Sequence, residues 1–385
     1  MKTDCQREVR SACRTDAMPS ATAPLSHPWS QVPPGAMMEF DLAELEESSV
    51  SHLRTASTSW LSSLGFATLY AQPPATHVWI RLGEQSQIAK ACFFFERPWK
   101  GRLKLVHVFG PTDMTPDEIL DLLQRRRASV ATISCMAADD TAQWGGPWHR
   151  WSERRVNEDI IVDLPRSEAE YLSSLGRNAK IQLPYYLRKL QKELGSAYTV
   201  FSLAGPQITL AAFQELVELN RVRIGRKGVP HLWGAELVRQ RWELAQSCGL
   251  FCGIRRGDEL LAGTMSYLHR NEAYFVLIGH NMDFDRLRLG KLVLWLTIQR
   301  LIQLGVPRYH MLWGMSPYKL QLGGTPRPLM EVGVFRHPLV AVLWVGTGCG
   351  KSALGVVTRL ARLPFAVWRR IVTAMRSCAA PLGSL

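Results

Sequence analysis

The sequence predicts an α/β chain of two similar lobes, each a mixed, mostly antiparallel, twisted sheet flanked by helices. Three observations carry this reading. From Leu250 to Gly324 the chain alternates three apolar runs and two polar turns, then a charged loop, a helix closing at Gly305 and the short strand VPRYHMLWG. The first half shows the same order of helix, meander, helix and strand, alike in pattern though not in letters. At 385 residues, 46% hydrophobic and 21% charged, the chain is long enough for two ordinary cores.

Taken in order, residues 1–36 are polar, Pro- and Ser-rich and without periodicity, and are expected to be disordered. A first lobe is expected over 37–157. In it FDLAELEESSVSHLRTASTSWLSSLG supplies one or two helices, and HVWIRLG, IAKACFFFE and LKLVHVFG supply a three-stranded meander. Thr115 then stands as N-cap, Pro116 at the first helical position and Asp117 and Glu118 in the first turn of PDEILDLLQRRR, and SVATISCM follows as a strand. QWGGPWHRWSERR reads as an aromatic loop whose tryptophans either line a cleft or cover the seam between lobes.

The second lobe is expected over 158–335. NEDIIVDLP is a strand, and the basic helical stretch after it is expected to break or restart at Pro184. YTVFSLAG is a strand, and TLAAFQELVELNRVRIG and GAELVRQRWELAQSCG are helices, the latter stopped by Gly249. Leu250 then opens the unit described above.

Bulk properties exclude several classes. No apolar run is long enough to span a membrane, and the first twenty residues lack the apolar core of a secretory signal. The net charge of +13 is concentrated at the end: after Glu331 there is no acid, while Arg336, Lys351, Arg359, Arg362, Arg369, Arg370 and Arg376 add seven charges. A specific nucleic-acid partner is therefore not expected of the body of the protein. The tail, 336–385, alternates basic and apolar residues, which suits peripheral contact with an anionic membrane or a partner protein. The eight cysteines (5, 13, 92, 135, 248, 252, 349, 378) are scattered and have no metal-ligand spacing, so no metal is expected and a reducing, cytoplasmic setting, with membrane association left open, is. VGTGCGKSAL resembles a phosphate loop but has Val345 where the first glycine belongs.

The run DIIVDLPRSEAEYLSSLGRNAKIQLPYYLRKLQKEL, followed by FQELVELNRVRIGRKG, LFCGIRRGDELLAGTMSY, AYFVLIGHN, LRLGKLVLWLTIQRLIQLG and GMSPYKLQLGG, resembles GNAT-fold acyltransferases of the FemAB, BioF and CelD-like type. The match covers roughly Asp159 to Gly333, and the first half is similar to the degenerate GNAT-like lobe that such proteins carry. Two departures stand out. The loop before the helix offers Arg286-Leu287-Arg288-Leu289-Gly290-Lys291 in place of a glycine-rich run, and Met315-Ser316-Pro317 separate Gly314 from Tyr318 where relatives often carry an acid.

Chemistry and resemblance together assign candidate residues. A helix N-terminus concentrates unpaired N–H groups and positive potential, and so suits a pyrophosphate. Leu289 and Gly290 would present that backbone, with Arg286, Arg288 and Lys291 adding charge. The resemblance implies acyl-CoA (acetyl-CoA) as co-substrate, without metal, its thioester arm received by the strand backbone at Leu277, Ile278 and Gly279. Acyl transfer to an amine needs orientation, a neutral amine and oxyanion donors. His280 or Glu272 is the candidate base, unless each is simply a solvated strand-end residue. Tyr318 is the candidate proton donor to the leaving thiolate, and Trp313, Gly314 and Lys319 are candidate substrate contacts, unless Tyr318 simply packs its ring while Lys319 points to water. The acceptor would be a small-molecule or glycan-linked amine, in envelope polysaccharide or cell-wall metabolism. A catalytically inactive assembly protein, or a transferase using an aminoacyl donor, is the alternative.

Overall fold

Strand β1 (Met37–Asp41) begins the ordered elements of the computed structural model, which describes residues 32–341 and 344 apart from 55, 58, 72, 85–86, 100–102, 145–150, 229 and 231–232. After β1 come α1 (Glu47–Arg54), α2 (Leu64–Leu69), β2 (His77–Leu82), β3 (Ile88–Trp99), β4 (Leu103–Val108), α3 (Pro116–Arg125), β5 (Val130–Ala137) and β6 (Trp151–Asp163). The second half has α4 (Glu168–Ser174), α5 (Arg177–Leu194), β7 (Tyr198–Ala204), α6 (Leu210–Gly225), α7 (Ala235–Cys248), β8 (Gly249–Arg256), β9 (Glu259–His269) and β10 (Glu272–His280). It closes with α8 (Leu289–Gln303), β11 (Arg308–His310), α9 (Pro317–Gln321) and β12 (Thr325–Phe335). The chain from 345 on, with the phosphate-loop-like stretch and most of the basic tail, lies outside the described residues, as do residues 1–31 and Trp148.

Local chemistry explains most boundaries. Thr115 Oγ1 accepts from Glu118 N (3.3 Å) while the Glu118 carboxylate accepts from Thr115 N (2.7 Å), a reciprocal cap that fixes the start of α3. Three expectations are corrected. Pro184 does not break its helix: α5 runs through it, because Ala179, Leu183 and Leu190 are buried in one core and hold the flanking turns. That burial offsets the loss of one backbone hydrogen bond, about 3 kcal/mol for an interior proline. The aromatic stretch expected to be a loop is strand from Trp151 on, where β6 begins and pairs along β12. MMEFD, too short to show a period, is a strand because β2 offers it an edge.

Among the described residues twelve strands form one sheet in the order β1-β2-β3-β4-β5-β12-β6-β11-β10-β9-β8-β7. The order reads as a palindrome about the β12·β6 pair. Each half contributes a meander (β2-β3-β4 or β8-β9-β10), a helical crossover (α3 or α8) and a parallel strand (β5 or β11). The last strand of each half is exchanged. β6 joins β11 of the second half, β12 joins β5 of the first, and the two pair with each other. The exchange turns two lobes into one continuous sheet.

The halves differ where it matters for function. In the first, β4 pairs with β5 through Val108, its last residue, so no strand edge is left open. Just beyond, Gly110 (φ +65°) lets the backbone of Leu61 and Ser62 pass 2.4 Å from where a Cβ would stand. In the second half β10 outruns its parallel partner, and a cleft opens.

Candidate active site

β10 and β11 pair at three positions only, Glu272 with Arg308, Ala273 with Tyr309 and Tyr274 with His310. A bulge between Phe275 and Leu277 then turns β10 aside. The chain beyond His310 stays with β6 instead, Met311 N donating to Ile160 O (2.7 Å) and Ile160 N to Leu312 O (3.3 Å). The result is a V with its apex at Tyr274 and His310, and with the β10 edge from Phe275 to His280 unpaired on that side. Leu277, Ile278 and Gly279 form the wall of this V. Helix α6 lies against it: a Cβ on Gly279 would stand 2.7 Å from Leu219 Cβ and 2.8 Å from Leu216 O. Asn220 Nδ2 donates to Ile278 O at 2.6 Å, so that carbonyl already has a partner.

At the open end, β10 finishes at His280 and the chain enters α8. Arg288, in the left-handed region (φ 51°), is the N-cap of that helix and turns the first N–H groups of α8 outward. Among the described residues its side chain has no partner. Arg286 is turned away, paired with Glu193 on α5 at 2.9 Å, and the Lys291 ammonium donates to Gln182 and Gln321. Gly290 faces His280, whose Nδ1 is buried without a partner and whose Nε2 lies 3.5 Å from Asp285 Oδ1. Burial, helped by the Arg223 charge, holds His280 below the usual imidazole range, so it is neutral near pH 7. Arg223, one turn from the end of α6, has its Nε buried and unpartnered as well. The Arg223 charge, two orphaned nitrogens and the α8 N-terminus capped by Arg288 therefore lie around His280, a donor set an anion would satisfy.

Glu272 lies at the other end of β10, eight residues from His280 and so roughly 26 Å away at the usual strand rise. The two candidate bases are not brought together. Glu272 accepts from Tyr274 OH (2.8 Å) and Arg308 Nη1 (2.8 Å), and its Oε2 is 3.2 Å from His310 Nε2. His310 Nδ1 is 2.6 Å from Asp159 Oδ2, and its ring stacks on Tyr274 at 4.4 Å. Strand register makes this ladder. Asp159, His310 and Glu272 come from three neighbouring strands, β6, β11 and β10. Burial would raise Glu272, but His310, Tyr274 and Arg308 outweigh it and hold the carboxyl down at about 2. Burial would lower His310, but hydrogen bonds to Asp159 and Glu272 outweigh it and hold the ring up. An imidazolium braced by two carboxylates thus pins the apex.

The segment after β11 crosses the V. Lys319 is 3% exposed, and its Nζ donates to the carbonyls of Met311 (2.7 Å), Leu312 (3.2 Å) and Trp313 (2.8 Å). It ties α9 to the loop that carries Trp313 and Gly314, the latter at φ +91°. Burial, opposed by Asp159 and Glu158, draws this ammonium down to about 8. Tyr318 is half-buried, within electrostatic reach of both Arg223 and Tyr309, and burial raises its pKa, so the phenol keeps its proton. Trp313 is 39% exposed and meets Phe66 of the first half edge-on at 6.1 Å. Among the described residues no three His, Cys, Asp or Glu side chains are grouped to hold a metal, and no helix is long and apolar enough to cross a membrane.

Residues 181–320 match the family described as "Acetyltransferase (GNAT) domain". That segment is similar to a GNAT domain. It contains β10 and β11, the helices α6, α7 and α8, and Tyr318, but not β6 with Asp159. FemX superposes along both halves, with a TM-score of 0.58 at 8% identity, covering 79% of this chain and 99% of that one. A conserved protein of unknown function from Bacteroides thetaiotaomicron gives a TM-score of 0.51 at 11% identity, covering 78% and 99%. These likenesses show a shared fold. No curated protein matches the chain in sequence.

Sequence reasoning placed the α8 N-terminus and the α9 segment but missed Arg223, Asn220, Asp159, Arg308 and His310. A signal existed for Asp159: an acid at an inward position of the apolar strand DIIVD needs a buried partner. Nothing local tells that the partner is His310, 151 residues on.

Proposed function

We propose that the protein is an N-acyltransferase that moves an acyl group from acyl-CoA to an amine acceptor. The observation that carries this reading is the V itself, with orphaned nitrogens of His280 and Arg223 beside the α8 N-terminus at its open end. Arg223, Arg288, His280 and the N–H groups of Leu289 and Gly290 would hold the pyrophosphate. The unpaired β10 edge would guide the arm toward the apex. His280, some six strand residues beyond the apex and so roughly 20 Å from it, serves the phosphate end in this account. Glu272 braces the apex, because its lone pairs are already committed.

The amine attacks the thioester carbonyl, the C–S bond breaks, and the departing thiolate takes the Tyr318 proton. The proton shed by the amine passes to water and restores Tyr318. Orientation supplies most of the acceleration, and general-acid help about 10²-fold or more. The test is thiol release from acetyl-CoA by the full chain with a panel of primary amines, including amino sugars and amino acids. Amine-dependent release supports the reading; release no faster than buffer with every amine overturns it.

A second reading keeps the acceptor and replaces acyl-CoA by an aminoacyl donor. It is favoured by the loop, which offers a single glycine where a glycine-rich run would cradle CoA, and by the FemX-like fold along both halves. Activity with aminoacyl-tRNA and none with acetyl-CoA would select it. Action in envelope polysaccharide or cell-wall metabolism belongs to the same proposal.

A further inference from the structure

Arg241 on α7 is 5% exposed, yet forms no ion pair among the described residues. Its one hydrogen bond is from Nη2 to Leu69 O at 3.2 Å, and its Nε is buried without an acceptor. Two other partly buried arginines are answered by acids: Arg126 by Glu39 and Glu96, Arg308 by Glu272 and Asp163. The faces of the Arg241 guanidinium are covered by two rings, Tyr70 at 4.1 Å and Trp233 at 3.7 Å. Stacking of this kind offsets part of the desolvation cost but leaves the in-plane edge, where the N–H groups lie, without a counter-charge. That edge matches a carboxylate in two parallel hydrogen bonds.

The surroundings place this group on the acceptor side of the V. Tyr70 OH is 2.8 Å from Tyr267 OH, Tyr267 lies tilted against Trp60 at 4.8 Å, and Phe66 links Tyr70 to the exposed Trp313. Tyr274, at the apex, belongs to the same aromatic cluster. A chain of aromatic contacts therefore links Arg241 to the exposed Trp313, on the sheet face away from α8. Among the described residues Arg241 is the one cation that acts on Tyr70 and Tyr267, whereas a phosphate dianion draws several.

We propose that Arg241 receives a carboxylate of the acceptor, so that the amine acylated is that of an amino acid or peptide bearing a nearby carboxylate. This rests on the acyl-transfer reading and narrows its substrate. Glycyl-L-phenylalanine, its C-terminal amide and inorganic phosphate are titrated into the full chain, with tryptophan fluorescence and calorimetry as readouts. The dipeptide should bind, the amide about tenfold or more weakly, and phosphate should not displace it. Arg241→Gln should lose the preference for acid over amide while its affinity for CoA stays that of the wild type. Equal binding of acid and amide, no binding of either, or displacement by phosphate would each overturn the assignment. The wild-type comparison stands alone should the variant fail to fold. CoA failing to bind while the dipeptide binds with this preference would strike the acyl-CoA reading and leave the carboxylate site intact.

Discussion

His280 and Gly290 are packed so closely that a Cβ on residue 290 would stand 2.9 Å from His280 Nδ1. The contact holds a neutral imidazole against the first turn of α8, and it depends on the missing side chain rather than on any special φ. Gly290→Ala should push the ring out of the cradle. We expect CoA to bind about tenfold more weakly, roughly 1.4 kcal/mol, with thermal stability nearly unchanged. Isothermal calorimetry and a melting curve on the same preparation check both halves of this expectation, and an unaltered Kd contradicts the cradle.

The ladder Asp159–His310–Glu272 makes stability depend on pH in two directions. The folded-state pKa of His310 is raised, so its contribution is complete below the unfolded value near 6.5 and fades as pH rises through the folded value. Glu272 is lowered to about 2, so its contribution is present above the unfolded value near 4.5 and is lost as pH falls toward 2. Their joint contribution is greatest between those limits. Asp159→Asn removes a buried acid, 3% exposed, and should cost about 3 kcal/mol near pH 6 and less at pH 9. Urea unfolding at pH 6 and 9 measures the difference, and a penalty equal at both would count against the charged brace.

Lys319 satisfies three carbonyls in succession, those of Met311, Leu312 and Trp313. Lys319→Met keeps the length of the chain but leaves these acceptors unpaired. A loss of about 3 kcal/mol in stability is expected, with activity falling further because Trp313 and Tyr318 lose their shared anchor. Chemical denaturation and amine-dependent thiol release test the two effects. Lys319→Arg should recover neither fully, since a planar guanidinium does not fit a cage built for an ammonium.

Tyr318 keeps its proton because burial raises its pKa. Tyr318→Phe should lower kcat by about 10²-fold and leave CoA affinity within a factor of two. A matching loss in Kd would instead assign the phenol to binding.

Much of this architecture was legible in the letters. Thr115, Pro116 and Glu118 announce α3, and the Arg288–Lys291 loop announces the start of α8, because caps and turns are chosen by residues within one turn of each other. The order of strands in each half was legible for the same reason. The exchange of β6 and β12 was not: an alternating strand carries its own period but no address for its partner, so Asp159 gives no hint of His310. Nor was the end of the V. The open edge exists because β11 stops at His310 and the chain follows β6, a matter of relative strand length across the sheet. Pro184 shows the converse, a strong local signal overridden by the burial of Leu183 and Leu190 around it.

The account stands or falls on whether the open end of the V holds the phosphates of CoA. Titration of CoA into the wild-type chain and Arg288→Glu by isothermal calorimetry is the most direct measurement. The wild type should bind with Kd in the micromolar range, about −8 kcal/mol, and Arg288→Glu at least about tenfold more weakly, with unfolding midpoints alike. No heat from millimolar CoA, or equal binding by the two proteins, would contradict it.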